Sequence, residues 1–209
     1  MKNEALQNLK REMEENKSLP LQEANLVFGE GSADAEIMFI GEAPGYYEDL
    51  QKRPFVGRSG QLLTCLINDI GFKREDVYIT NIVKRRPPEN RDPLSEEIEL
   101  YSPYLMKQAE IINPKIIAAL GRFSMNFFLP FAKISRDQGK SFLWKERIIV
   151  PLYHPAAALR SLAVKKELEE SFVKLKDVLK NYNESLDKKP AAENMPGKKD
   201  GVQKQMGLF

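Results

Sequence analysis

Residues 36–41 read Glu-Ile-Met-Phe-Ile-Gly, and similar short apolar runs recur at 77–80, 115–121 and 147–150, bounded by Gly, Pro or Asn. Unbroken apolar runs of this length fit strands buried on both faces, as in a parallel sheet covered by helices. Between them, apolar residues at helical spacing predict helices near 60–70, 95–112 and 122–131. Strands and helices alternate. The pattern therefore predicts an α/β domain of three layers, α/β/α, around a central four-stranded parallel sheet. Two more helices flank this unit. One spans 4–16, with Leu6, Leu9 and Met13 spaced among charges. The other runs from about 158 to 182, with Leu168, Phe172, Leu175 and Leu179 as its stripe.

Past residue 182 the pattern fades. Residues 183–202 are rich in Lys, Asp, Glu, Pro, Ala and Gly and have too few large apolar side chains to pack, so a disordered linker is expected there. Apolar residues return at 203–209. The expected organisation is a domain at 1–182, a linker at 183–202 and a terminal peptide at 203–209.

Composition narrows the function classes. No apolar run reaches the length of a membrane span, and the charged N-terminal stretch lacks the apolar core of a secretory signal, so a cytoplasmic protein is expected. The single cysteine, Cys65, excludes an internal disulfide and any cysteine-based zinc or iron–sulfur site. The net charge of +2, from 32 basic and 30 acidic residues, is compatible with nucleic-acid binding without arguing for it.

The chemistry is expected where the strands end, because in open parallel sheets ligands bind beyond the carboxyl ends of the strands. There the chain places Gly41-Glu42-Ala43-Pro44-Gly45, then Asn81, then Gly121, then Tyr153-His154-Pro155. His154 is the lone histidine of the chain. At a strand's end its imidazole can aim an N–H at a developing anion, although a lone histidine is more often a cap. Asn81 offers both a donor and an acceptor, as reading a base edge requires, although asparagine is also common in turns. Phe55, between prolines and glycines, offers a ring on which a base could stack. Lys84, Arg85, Arg86 and Arg91 form a basic run beside the expected pocket that could hold phosphates.

Taken together these residues resemble the family 4 uracil-DNA glycosylases. The matching strings are Gly41-Glu-Ala-Pro-Gly45 with Glu48-Asp49, Pro54-Phe-Val-Gly57 with Ser59-Gly60, and Ile79-Thr-Asn81. Arg86-Pro-Pro with Asn90-Arg91 and Pro93, and His154-Pro-Ala-Ala-Ala-Leu-Arg160, complete the set in matching order over most of residues 27–180. The resemblance implies an enzyme that flips uracil out of DNA and hydrolyses its N-glycosidic bond, leaving an abasic site. It implies that His154, Asn81 and Glu42 are catalytic, and that Gly41, Glu42, Ala43, Glu48, Phe55, Asn81 and His154 bind the base. Phe55 would stack on uracil, Asn81 would pair with its polar edge, Glu48 would block the thymine methyl, and His154 would bond to O2 of the leaving anion. Ala43 stands where the first glycosylase family has a water-positioning aspartate. Arg58, Lys84, Arg86, Arg91, Leu159 and Arg160 would bind DNA, with Leu159 and Arg160 entering the duplex.

Two departures from the family stand out. Family 4 enzymes normally hold an iron–sulfur cluster on four cysteines. Here those places carry Arg85, Tyr101 and, on a gap-free alignment, Glu14 and Lys17, so no cofactor is expected and side-chain contacts should replace the cluster. Lys52 stands where the family has glycine before the Phe55 loop. The alternatives are a non-catalytic uracil- or DNA-binding module of the same fold, and a glycosylase for another base such as hypoxanthine or mismatched thymine. The terminal Gln205, Met206, Leu208 and Phe209 resemble the peptide by which bacterial repair proteins dock on the sliding clamp. The expected partners are thus uracil-containing DNA and a clamp, with the protein itself a monomer.

Overall fold

The computed structural model describes residues 1–182, so the expected linker and terminal peptide lie outside the described residues. Its centre is a sheet of six strands: β1 (Glu30–Gly31), β2 (Ile37–Gly41), β3 (Tyr78–Asn81), β4 (Ile116–Leu120), β5 (Phe142–Trp144) and β6 (Arg147–Leu152). Their spatial order is β1-β3-β2-β4-β6-β5. The four middle strands are the expected ones, and they pair in parallel. The sheet differs from the expected four strands by an antiparallel strand at each edge, β1 on β3 and β5 on β6. These edge strands have two and three residues, too few to show a hydrophobic period.

Every residue of β2 and β4 is buried, and their side chains divide by alternation. Met38, Ile40, Ile117 and Ala119 join a core with Leu6, Leu9 and Met13 of α1 (Lys2–Glu15) and with Tyr101, Leu105 and Ile112 of α4 (Ser95–Ile112). Ile37, Phe39, Ile116 and Ala118 face the other way. They meet Leu63, Leu66 and Ile67 of α3 (Arg58–Asp69) and Leu168, Phe172 and Leu175 of α8 (Leu162–Lys180). Phe39 stacks on Phe172 with centroids 5.6 Å apart and planes within 6°. These two cores make the α/β/α sandwich.

The remaining helices are short: α2 (Tyr46–Gln51), α5 (Arg122–Phe128), α6 (Ile134–Asp137) and α7 (Pro155–Ala158). The long helix expected from residue 158 is in fact interrupted. Ser161 caps α8 by accepting from the Val164 N–H at 3.4 Å, so Leu159 and Arg160 stand in a break between α7 and α8. Among the described residues no helix is long and apolar enough to cross a membrane.

Candidate active site

The loops after β2, β3, β4 and β6 meet at one end of the sheet around a cleft of about 450 Å³ lined by Glu42, Ala43, Glu48, Phe55, His154 and Arg160, with Tyr46 and Tyr47 at its side. Two glycines make this convergence possible. A Cβ on Gly41 would lie 2.3 Å from Asn81 Oδ1 and 2.6 Å from Phe55 Cζ, so the carboxamide and the ring both rest on Gly41. Gly121, at φ +93°, does the same for the other wall: a Cβ there would lie 2.4 Å from Glu42 Oε1 and 3.2 Å from His154 Cβ.

Phe55 is buried and holds φ at 50°, an uncommon conformation for an aromatic residue. The surroundings fix it there. Arg74 Nη2 donates to the Pro54 carbonyl at 2.6 Å, while Arg74 Nε and Arg53 Nε reach the two oxygens of Glu30 at 2.8 and 2.7 Å. Burial raises the proton affinity of Glu30, but the two guanidinium groups outweigh it and hold the carboxyl below its ordinary range. Gly60 lets α3 pass directly beneath the Phe55 carbonyl, where a Cβ would come within 1.8 Å. Lys52 adopts φ 54°, ψ 31°, the left-handed conformation that glycine takes freely, so the loop keeps a glycine-like turn.

His154 caps α7, and its Nδ1 accepts from the Ala156 N–H at 3.2 Å. The acceptor role at Nδ1 leaves Nε2 as the protonated nitrogen. Burial pushes the imidazole down to about 4, so at neutral pH it is an uncharged donor. Its ring lies 5.6 Å from that of Phe55, inclined by 31°. Asn81 ends β3 almost wholly buried, and its Nδ2 has no hydrogen-bond partner among the described residues. An unpaired buried amide is costly unless something arrives to accept from it.

The two carboxylates behave alike. Burial raises both Glu42 and Glu48, partly offset by backbone N–H groups, of Phe123 for Glu42 and of Gly45 and Phe55 for Glu48. Glu48 accepts from the Gly45 N–H at 2.7 Å, which closes the first turn of α2.

The expected DNA-contacting residues divide. Arg58, Leu159 and Arg160 are exposed, and Arg160 lines the cleft. Arg86 lies over the Tyr46 ring at 5.1 Å and donates to Asn90 Oδ1 at 2.7 Å. Arg91 is engaged instead by both oxygens of Glu97, at 2.9 and 2.6 Å. Lys84 requires correction: it is wholly buried and bonded to Thr80, Asn81 and Gln108, so it cannot reach a phosphate. It follows the buried end of β3, where every position from Tyr78 to Arg85 points into the fold. Glu30 and Arg74, which brace the Phe55 loop, escaped the sequence reading because their partners lie far away in the chain.

The residues at the expected cluster positions do not fit an iron–sulfur cluster. Arg85 reaches the Ala24 carbonyl, the Tyr101 hydroxyl donates to the Pro20 carbonyl at 2.8 Å, and Arg85 and Tyr101 interact directly. They tie residues 20–24 to the core with oxygen and nitrogen groups. Glu14 and Lys17 meet through the Glu14 carbonyl at 3.4 Å, out on the surface. Cys65 is exposed on α3, and among the described residues no cluster of His, Cys, Asp and Glu could hold a metal.

A family model described as "Uracil DNA glycosylase superfamily" matches residues 28–180. The Type-4 uracil-DNA glycosylase of Sulfurisphaera tokodaii is 44% identical over 93% of this chain and 100% of its own length. That of Saccharolobus solfataricus is 49% identical over 78% of this chain and 80% of its own. That of Thermotoga maritima is 46% identical over 68% and 76%.

Proposed function

The chain belongs to the uracil-DNA glycosylase superfamily, and from that premise we infer how its cleft works. It is a DNA-repair glycosylase that removes uracil and leaves an abasic site. In our reading the flipped uracil lies on Phe55 with its polar edge toward Asn81. The observation that carries this is the buried Asn81 Nδ2, which has no partner among the described residues and would donate to a base carbonyl, while Oδ1 accepts the base's N–H. Glu48, fixed by the Gly45 N–H, stands at the cleft wall where it would meet a 5-methyl group.

The C1′–N1 bond then breaks with its electron pair going to uracil, which leaves as an anion from an oxocarbenium-like sugar. His154 donates from Nε2 to O2 of that anion while remaining neutral, and the Gly41–Ala43 backbone adds further donors. A water adds its oxygen to C1′ and gives up a proton, which neutralises the uracil anion. With Ala43 at the aspartate's place, departure of the base leads and the water follows. Arg58, Arg86 and Arg160 grip the backbone phosphates, and Leu159 fills the gap left by the base.

We also propose that residues 203–209 dock on a sliding clamp through Gln205, Met206, Leu208 and Phe209, and that the enzyme acts as a monomer in the cytoplasm. What supports the docking peptide is its sequence alone. Binding of a peptide of residues 200–209 to the cognate clamp, measured by calorimetry, tests it, and no heat at tens of micromolar would refute it.

The excision reading is tested with labelled oligonucleotides carrying uracil, hypoxanthine or thymine opposite guanine, cleaved with alkali after incubation. Strand breaks at uracil alone are expected. Breaks at another base would transfer the activity to that base, and none at all would leave a binding module.

A further inference from the structure

Among the described residues Lys84 is a wholly buried lysine with no carboxylate bonded to its Nζ. The Nζ donates to Thr80 Oγ1 at 2.6 Å, to the Asn81 carbonyl at 2.7 Å and to Gln108 Oε1 at 2.5 Å. None of these oxygens has a proton to return. The Thr80 hydroxyl proton is committed to the Phe28 carbonyl at 2.8 Å, and Gln108 presents its oxygen because Nε2 donates to Phe28 O and the Tyr78 hydroxyl. Three donors matched to three acceptors is the stoichiometry of an ammonium, since a neutral amine would aim a lone pair at one of the oxygens. Burial pulls Lys84 well below the ordinary lysine range, whereas hydrogen bonds to the charged form of an amine favour that form. The titratable group across the network is Tyr78, whose proton burial retains.

The Asn81 carbonyl belongs to the same peptide unit as the Ile82 N–H, which donates to the Gly41 carbonyl at 3.0 Å. The Gly41 carbonyl in turn shares its peptide unit with the N–H of Glu42, which lines the cleft. A cation at one end of such a chain polarises each peptide in the same sense.

We propose that Lys84 is a positioning residue for base excision: its ammonium fixes the end of β3 from behind, orients Asn81, and biases the peptides leading to Gly41 and Glu42 toward stabilising the departing anion. The proposal rests on the reading of Asn81 as the residue that meets the base edge. A buried fixed charge needs no reorganisation as the bond breaks, so its effect falls on the chemical step rather than on DNA binding.

The test compares Lys84→Met, Tyr78→Phe and Asn81→Ala with the parent in single-turnover excision from a uracil-containing oligonucleotide, with DNA affinity measured separately by anisotropy. Lys84→Met is expected to lose roughly tenfold or more in rate with Kd within about twofold. Tyr78→Phe removes the hydroxyl that accepts from Gln108 Nε2 but leaves all three acceptors of the Lys84 Nζ in place, and is expected to stay within about threefold of the parent rate. A Lys84→Met rate within that margin overturns the proposal, as does an equal loss in Tyr78→Phe. A parent-like rate in Asn81→Ala removes the underlying reading of Asn81 and the proposal with it, whereas loss in Asn81→Ala alone sinks only the role of Lys84. Should Lys84→Met fail to fold, the unmutated protein decides. In lysine-15N-labelled protein at neutral pH, a slowly exchanging ammonium signal for Lys84 supports the proposal, and a neutral amine signal overturns it.

Discussion

The imidazole of His154 and the ring of Phe55 lie 5.6 Å apart and inclined by 31°, although one closes β6 and the other precedes α3. A base resting on Phe55, as we propose, would share the cleft with a donor whose proton is already on Nε2. The backbone, through the Ala156 N–H, sets that tautomer. On the proposed mechanism, the site would stabilise an anion without carrying a cation on the imidazole.

Removal of the two polar groups should act on the chemical step. Asn81→Ala and His154→Ala should each slow single-turnover excision by roughly 10²–10³, equal to about 2–4 kcal/mol of barrier. Circular dichroism should show both folded. Rates within threefold of the parent in both would end the assignment.

The depressed imidazole makes stability depend on acidity. The folded value is about 4 against an ordinary 6.5, so between those values the unfolded chain binds the proton and the folded one does not. The His154 contribution is complete above 6.5 and is lost as the pH falls toward 4. After discounting for its partial exposure, the loss is about 2 kcal/mol. Urea titrations should show that His154→Asn, which keeps a capping side chain, is flatter across this window; an unchanged slope would contradict the assigned tautomer and charge.

The brace behind Phe55 should matter to both folding and catalysis. Arg74→Ala leaves Glu30 with only the Arg53 partner and frees the Pro54 carbonyl. It should cost about 1–3 kcal/mol in denaturant unfolding. Excision should fall at least tenfold as Phe55 leaves its φ of 50°. Full activity in a destabilised variant would show that the loop holds its shape without the brace.

Tyr101→Phe removes the hydroxyl that reaches the Pro20 carbonyl. The expected outcome is a loss of about 1 kcal/mol in stability with excision unchanged. Elemental analysis of the parent should find no stoichiometric iron; iron at one cluster per chain would contradict the Arg85 and Tyr101 replacement.

Much of this was legible along the chain, and the exceptions share a cause. The four parallel strands announce themselves because burial on both faces leaves unbroken apolar runs such as Ile37 to Ile40. Asn81 and His154 stand out as candidates because strand ends are where such a sheet binds ligands. Lys84 was misread because a charge run in sequence says nothing of which way each residue points. One position in the run, just past a strand end, turned inward where Gln108 and Thr80 could receive it. Arg74 and Glu30 were invisible because their partnership spans the fold, and the break at Leu159 because Ser161 caps a helix whose apolar stripe gave no sign of interruption.

The stack of Phe39 on Phe172 also bears on how the chain assembles during synthesis. Phe39 sits in a central strand, while Phe172 belongs to α8, the final described helix. Until α8 has left the ribosome, one face of the finished sheet is only partly covered, by α3, and Ile37, Phe39 and Ile116 lack their packing partners Leu168, Phe172 and Leu175. Contacts between such distant segments make the last step of folding a slow, long-range closure. The nascent domain is thus most vulnerable to proteases and aggregation when it is nearly complete.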